Sequence, residues 1–367
     1  MEPGRISNRQ LAFLMATVLL ATVIYFMPQV AARAVQQDSW ITALLSTVWA
    51  ILVVLTIIAL SRRFPGLTLI EYLPLILGKP LGKLLGLFYV FWFLGVGAFV
   101  LRQFAMLLNI AVMPATPVAV FMVTMMVLVV YALRGGLEVW TRVNEILLPI
   151  IIVALLMIMV LPYESMDFRR LLPVASHPAG VLMVSSLIGA SWRGEIFMAA
   201  MFIPALTSSR HTSRNLMLMV LIVGLILAAM EVATVAVFGG VNAGELELPI
   251  FSLARMISLA KIFDRLEVLI VFTWVLGNFI KICVFMYCST VGAAQVMGFK
   301  KFDFLFFPIA VLMVAFGDNF LENVADFTDF LTHVWGAYGL LSFELVIPFI
   351  LLLITLIRKP EVKRDTR

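Results

Sequence analysis

Charge is what this chain has least of. Only 13% of its 367 residues are Asp, Glu, Lys or Arg, and 63% are hydrophobic. A soluble domain carries about a quarter charged residues, so a water-exposed globule is excluded. Histidine is nearly missing. His177, His211 and His333 are scattered near the ends of apolar runs and offer no metal-ligand spacing. The two cysteines, Cys283 and Cys288, fall in one apolar run and point to different sides of a helix, which argues against a disulfide framework. No nucleophile–base set stands out, so the chain reads as a non-enzyme with neither cofactor nor metal. Its net charge of +5 comes from basic residues that flank apolar runs, which argues against nucleic acid as a partner.

What is plentiful is apolar length. A helix crossing the bilayer takes about 20 mostly apolar residues. Ten such runs can be drawn, at 10–35, 39–61, 81–111, 116–134, 142–162, 179–205, 213–239, 263–294, 303–318 and 334–357. The first reads as a span and not as a cleaved signal, because it is too long and Pro28 interrupts it ahead of Ala32-Arg33-Ala34. Pro65, Pro74 and Pro80 make 65–80 a re-entrant or interfacial connection, and Phe251–Ala260 suits a short amphipathic helix in a loop. Trp40 and Trp140 suit the interface belts. Disorder is expected only at Met1–Ile6 and Lys359–Arg367. The whole of 1–367 reads as one membrane domain, with 359–367 as a short tail.

Lysine and arginine set the orientation. With the N-terminus inside, the inner segments hold 17 of them, the outer segments 6, and Arg102, Arg193 and Lys281 lie within spans. Both termini are therefore expected in the cytoplasm. Ten spans divide into five plus five, and because five is odd the second half enters from the opposite face. That is the arithmetic of an inverted repeat, about 10–162 and 179–357. The first span of each half should then be broken. The sixth offers Gly189-Ala190-Ser191-Trp192-Arg193-Gly194-Glu195, and the first offers Pro28.

Lys281 lies near the middle of the eighth span. A lysine at that depth costs about 3 kcal/mol even on an insertion scale, so it must face a cavity or a partner. Glu195 is expected to face the cavity, with Arg193 capping a broken helix end. Glu145 is expected to pair with Arg142. Gly95 and Gly97 suit close helix packing.

The order of motifs resembles the B subunits of spore germinant receptors, within the amino acid–polyamine–organocation transporter superfamily. The residues that carry the resemblance are Ile6-Ser7-Asn8-Arg9-Gln10, Pro65-Gly66-Leu67-Thr68-Leu69-Ile70-Glu71-Tyr72, Arg134-Gly135-Gly136-Leu137-Glu138, Arg142-Val143-Asn144-Glu145, Arg193-Gly194-Glu195, Phe263-Asp264-Arg265-Leu266-Glu267, Trp274 to Tyr287 and Gly292-Ala293-Ala294-Gln295. The resemblance implies an all-α integral membrane protein of about ten spans. Its core would be a LeuT-like five-plus-five inverted repeat with helices 1 and 6 broken. It implies a sensor of a small nutrient such as an amino acid in the spore inner membrane, with an A subunit and a lipoprotein C subunit as partners. One departure is visible. Where the family carries glycine before the first-span proline, this chain has Ala21-Thr22-Val23-Ile24-Tyr25-Phe26-Met27, and without glycine the backbone opens less readily.

In that architecture the ligand site joins the middles of spans 1, 3, 6, 8 and 10. The candidates are Thr22, Val23 and Tyr25; Gly97 and Val100; Ser191, Trp192, Gly194 and Glu195; Asn278 and Cys283; and Ser342. Lys281 would stand near where sodium-coupled members hold their ion. Arg102 and Glu344 would form an outer gate pair, with Glu231 as the rival partner of Arg102. Two other functions fit the same fold: a proton- or cation-coupled amino acid permease, and an ion or water conduit within a receptor.

Overall fold

The structure, a computed structural model, describes residues 4–256, 267–319, Trp335 and 338–358. The described residues are helical apart from loops and one isolated bridge between Ile6 and Leu206. The first half of the chain contains α1 (Asn8–Val35), α2 (Ser39–Arg63), the short α3 (Leu69–Leu77), α4 (Lys79–Ala111), α5 (Val118–Arg134) and α6 (Leu137–Val160). Then come α7 (Ala179–Gly194), a 3-10 turn at Glu195–Met198 and α8 (Ala199–Phe202). They are followed by α9 (Thr212–Phe238), α10 (Gly240–Glu245), α11 (Pro249–Arg255), α12 (Glu267–Met297) and α13 (Phe306–Asp318). The last span holds a π-helix, Gly339–Glu344, running into α14 (Val346–Arg358). Long apolar helices and large exposed apolar side chains, such as Val127, Ile146, Leu225 and Phe307, mark a multi-pass membrane protein.

Local chemistry explains where the helices start. Ser7 accepts from the Gln10 amide, and the Gln10 side chain accepts from the Ser7 amide, so α1 opens on a capping box. Thr68 and Glu71 repeat the arrangement at α3. Ile6 is not part of a disordered end. It is buried, and its backbone pairs with Ala205 and Thr207. The helix expected over Phe251–Ala260 is realised as Pro249–Arg255, while its end and most of Phe263–Glu267 lie outside the described residues. So does the tail 359–367.

The two expected breaks turn out differently. Span six does break, at the 3-10 turn beginning with Glu195. Span one does not: α1 is a continuous helix with Pro28 inside it. Proline removes one hydrogen bond, but every residue from Leu14 to Ala32 is buried, so packing on all sides holds the rod together. No glycine loosens it. α1 contacts α9, α12, α6 and α7, and α12 packs most extensively on α4.

The Arg142-Val143-Asn144-Glu145 motif fastens the N-terminal half of α1. Asn144 accepts from Thr17 at 2.7 Å, and Glu145 takes Arg9 at 2.8 Å and Gln10 at 3.0 Å. Arg142 does not pair with Glu145 as expected. It lies one turn after Glu138 on α6 and pairs with that residue. Trp140 is not at an interface either. It is buried, with its ring against Phe202 and Tyr287.

Two contacts generate predictions. A Cβ on Gly82 would stand 2.4 Å from Pro74 backbone atoms of α3, whereas one on Gly95 meets nothing within 4 Å. Gly82→Ala should therefore destabilise the purified protein by about 1–3 kcal/mol, while Gly95→Ala leaves the melting temperature unchanged or slightly higher. Between α1 and α2, Asp38 is buried and accepts from Ala175 N, Ser176 Oγ, His177 N and His177 Nδ1 at 2.8–3.1 Å. Burial pushes its carboxyl up, but these donors outweigh burial and hold it below the ordinary aspartate value. A depressed folded pKa adds stability above the unfolded value of about 3.9 and loses it as pH falls through the folded one. Asp38→Asn should thus lower the melting temperature at neutral pH, and the gap to wild type should close on acidification.

Candidate functional site

The break in span six places Glu195 where α7 ends and the 3-10 turn begins. α12 presents Lys281 to it. The Lys281 Nζ lies 2.6 Å from Glu195 Oε2 and donates to Thr22 Oγ1 of α1 at 2.7 Å. It also stands 5.9 Å from the centre of the Phe285 ring. Lys281, Glu195 and Thr22 are all fully buried. Isolated charges are very costly there, and the pair persists because each neutralises the other. The second oxygen of the glutamate, Oε1, has no hydrogen-bond partner among the described residues.

A third ionisable group joins them. Glu344 ends the π-helix, is fully buried, and lies within electrostatic reach of both Lys281 and Glu195. Neither of its oxygens has a hydrogen-bond partner among the described residues. The structure thus joins Thr22, Glu195 and Lys281 from spans 1, 6 and 8, with Glu344 of span 10 within electrostatic reach. Asn278, one turn before Lys281, donates to Trp274 O at 2.9 Å and leaves its Oδ1 unpartnered and buried.

The gate pair is not formed. Arg102 reaches Asp318, the last residue of α13, at 3.2 Å. α13 packs along α4, with Gly317 against the Ala98 backbone, and this brings Asp318 within range. Glu344 instead faces the centre. Glu231 is not the partner of Arg102 either; it lies in the field of Arg193, whose guanidinium also donates to Gly189 O at 3.2 Å.

Other candidates make contacts within the protein. A Cβ on Gly97 would meet Met313 at 2.7 Å and Phe285 at 3.0 Å, so this glycine permits close packing. Tyr25 spends its hydroxyl on Thr273 Oγ1 and Ile270 O, pinning α1 to the start of α12. Ser191 donates back to Ile188 O. Val23, Val100, Trp192 and Cys283 are buried in the core, Gly194 closes α7, and Ser342 is half-buried in the π-helix.

Two features escaped the sequence reading. One is an aromatic wall beside the charged cluster, formed by Tyr89, Trp92 and Phe93 of α4 with Phe197, Phe285 and Phe343. The spacing of 89, 92 and 93 on one helical face was its only signal. The other is a cavity of ≈310 Å³ lined by Thr68, Glu71, Tyr287, Gln295, Lys300 and Phe302 among others. There the Pro65–Tyr72 and Gly292–Gln295 motifs meet, with Thr68 donating to Gln295 at 2.8 Å.

Removing one member of a buried ion pair strands the other, at a cost of about 3–5 kcal/mol. Lys281→Met should lower thermal stability by that order. Adding Glu195→Leu to it should restore much of the loss, a coupling that a double-mutant cycle in detergent measures directly.

Comparison with known proteins agrees with the fold and extends it. Residues 5–320 match the sequence profile of a family described as Spore germination protein. Spore germination protein KB of Bacillus subtilis (strain 168) is 25% identical over 367 residues, covering 98% of this chain and 96% of the relative. Spore germination protein A2 of the same organism is 25% identical over 350 residues, covering 94% and 95%. Among solved structures, a Na+-coupled sialic acid symporter in a substrate-bound outward-open state superposes with a TM-score of 0.68 at 13% identity, covering 92% of this chain and 77% of that one. The nucleobase-cation-symport-1 family transporter MHP1, in a closed conformation with bromovinylhydantoin bound, gives 0.64 at 14% identity, covering 99% and 83%. The fold is therefore the five-plus-five helical transporter fold, and these structural neighbours are transporters, not enzymes. With its family profile matched along most of its length, this permease-like, multi-pass membrane protein belongs to the spore germination protein family.

Proposed function

We propose that the chain is the B-type membrane subunit of a spore germinant receptor. In this reading it sits in the spore inner membrane as a single two-repeat domain with both termini in the cytoplasm, the orientation favoured by the 17-to-6 bias of basic residues. It binds a small nutrient, such as an amino acid, near Thr22, Glu195, Lys281 and Glu344. It then passes the change to A and C subunits.

The buried Lys281–Glu195 pair across the broken sixth span carries the proposal. It fastens the interrupted sixth span to α12. A polar ligand competing for either charge alters the balance between a fastened and a released break. The size of the response is set by the difference in the ligand's affinity for the two states. The family match supports a role in germination, since its relatives carry that name.

A second reading, a proton- or cation-coupled amino acid permease, is supported by the transporter neighbours and by the cavity around Gln295. The two readings part in experiment. Spores lacking this chain should lose the germination response to at least one nutrient. Spores carrying Lys281→Met, with the protein present at normal level, should respond about tenfold more weakly. Proteoliposomes of the purified chain should bind but not accumulate labelled amino acids. Robust accumulation would replace the sensor by the permease, and normal germination of the deletion strain would remove the receptor role.

A further inference from the structure

Among the described residues, buried charge does not balance in this core. Arg193 and Glu231 lie in each other's field, and Lys281 is joined to Glu195. Glu344 is left over. One ammonium thus stands among two carboxyl groups at the centre, and the second carboxyl makes no hydrogen bond to any described residue. The neighbouring hydroxyl that could have served it, on Tyr89, is spent on Phe343 O at 2.9 Å. Protonation would remove the charge of Glu344 but would leave its O–H and C=O without partners in the same apolar surroundings. Loss of charge alone does not complete the site.

The surroundings indicate what would. Phe343, adjacent to Glu344, meets Tyr89 edge-on at 5.4 Å and Trp92 at 6.1 Å. Trp92 lies 6.0 Å from Phe285, the ring over which Lys281 already sits. Aromatic faces attract cations. A carboxylate beside such a wall suits a positively charged group that also brings N–H donors. The π-helix that carries Glu344 has Ser342 and Phe343 only half-buried, and single π turns recur at functional sites.

We propose that Glu344 is the docking group for the cationic end of the ligand, a protonated primary amine whose apolar part lies on the Trp92–Phe285–Phe343 wall. This rests on the receptor reading above for its consequence in the spore, but binding itself can be tested apart from it. An alkali cation shares the charge and lacks both the N–H donors and the apolar part.

The test uses the purified full-length chain and its melting temperature with three probes: n-propylamine hydrochloride, the uncharged N-propylacetamide, and KCl at matched ionic strength. Propylamine should raise the melting temperature by about 3 °C at saturating concentration, and the other two should not. Glu344→Gln keeps the shape and removes the charge. It should fold, since it deletes an unpaired buried charge, and it should weaken propylamine binding at least about tenfold. An equal shift with KCl would reassign the site to a bare metal cation. An equal shift with N-propylacetamide, an undiminished shift in Glu344→Gln, or no shift with propylamine in the wild type would each overturn the proposal. If Glu344→Gln fails to fold, the three-probe comparison on the wild type decides alone. The receptor reading fails separately, through normal germination of spores lacking the chain, whatever propylamine does in detergent.

Discussion

Lipid offers a buried charge no solvent, and the central organisation of this molecule follows from that constraint. Lys281 is tolerable in the eighth span because Glu195 meets its ammonium at 2.6 Å and Thr22 accepts from it at 2.7 Å. The lysine and its two partners come from three different segments. Satisfying one lysine therefore fixes how α1, α12 and the break in span six sit relative to one another. An ordinary lipid-facing helix could rotate about its axis at little cost. α12 cannot, because rotation would expose an unpaired ammonium to hydrocarbon.

The break at Glu195 follows the same logic. Interrupted helix leaves backbone groups to be satisfied, which the membrane interior allows only where protein surrounds the gap. Span six meets that condition through close approach: a Cβ on Gly189 would press on Ser46 at 2.7 Å. α2, which supplies Ser46, packs closely along α7, and Ser46 donates to Ser186 O at 2.8 Å. The break is thus braced by hydroxyls and small residues on one side and by the ion pair on the other.

Much of the fold could be read from the residues, because span number, helix ends and the lone lysine are all marked by composition. The short ninth span, for example, is α13 with its 13 residues. The site was legible in part. Lys281 and Glu195 each stand out as charges in apolar surroundings, and the structure joins them. Partner choice was harder. Arg102 takes Asp318 and leaves Glu344 aside because the packing of α13 on α4 decides it, and no pattern along the chain encodes that packing. Pro28 suggested a break in the first span, but its lost hydrogen bond is one local deficit set against a helix buried on every side. The missing glycines were the better guide. The aromatic wall was hidden by abundance: among 29 phenylalanines, the few that matter are distinguished only by their position in three dimensions.

The continuity of α1 has a mechanical consequence. From Thr22 to the capping box at Ser7 the helix is uninterrupted, a length of about 22 Å at 1.5 Å per residue. A hinged helix would absorb a small displacement at its kink. A continuous, fully packed one transmits it, as a push rod does. Whatever moves the lysine's grip on Thr22 is delivered at the N-terminal end, where Arg9 and Gln10 hold Glu145 and Ile6 is bridged to Leu206 after span six. In this chain the first helix thus runs unbroken from the lysine's contact at Thr22 to a backbone bridge with the segment after span six.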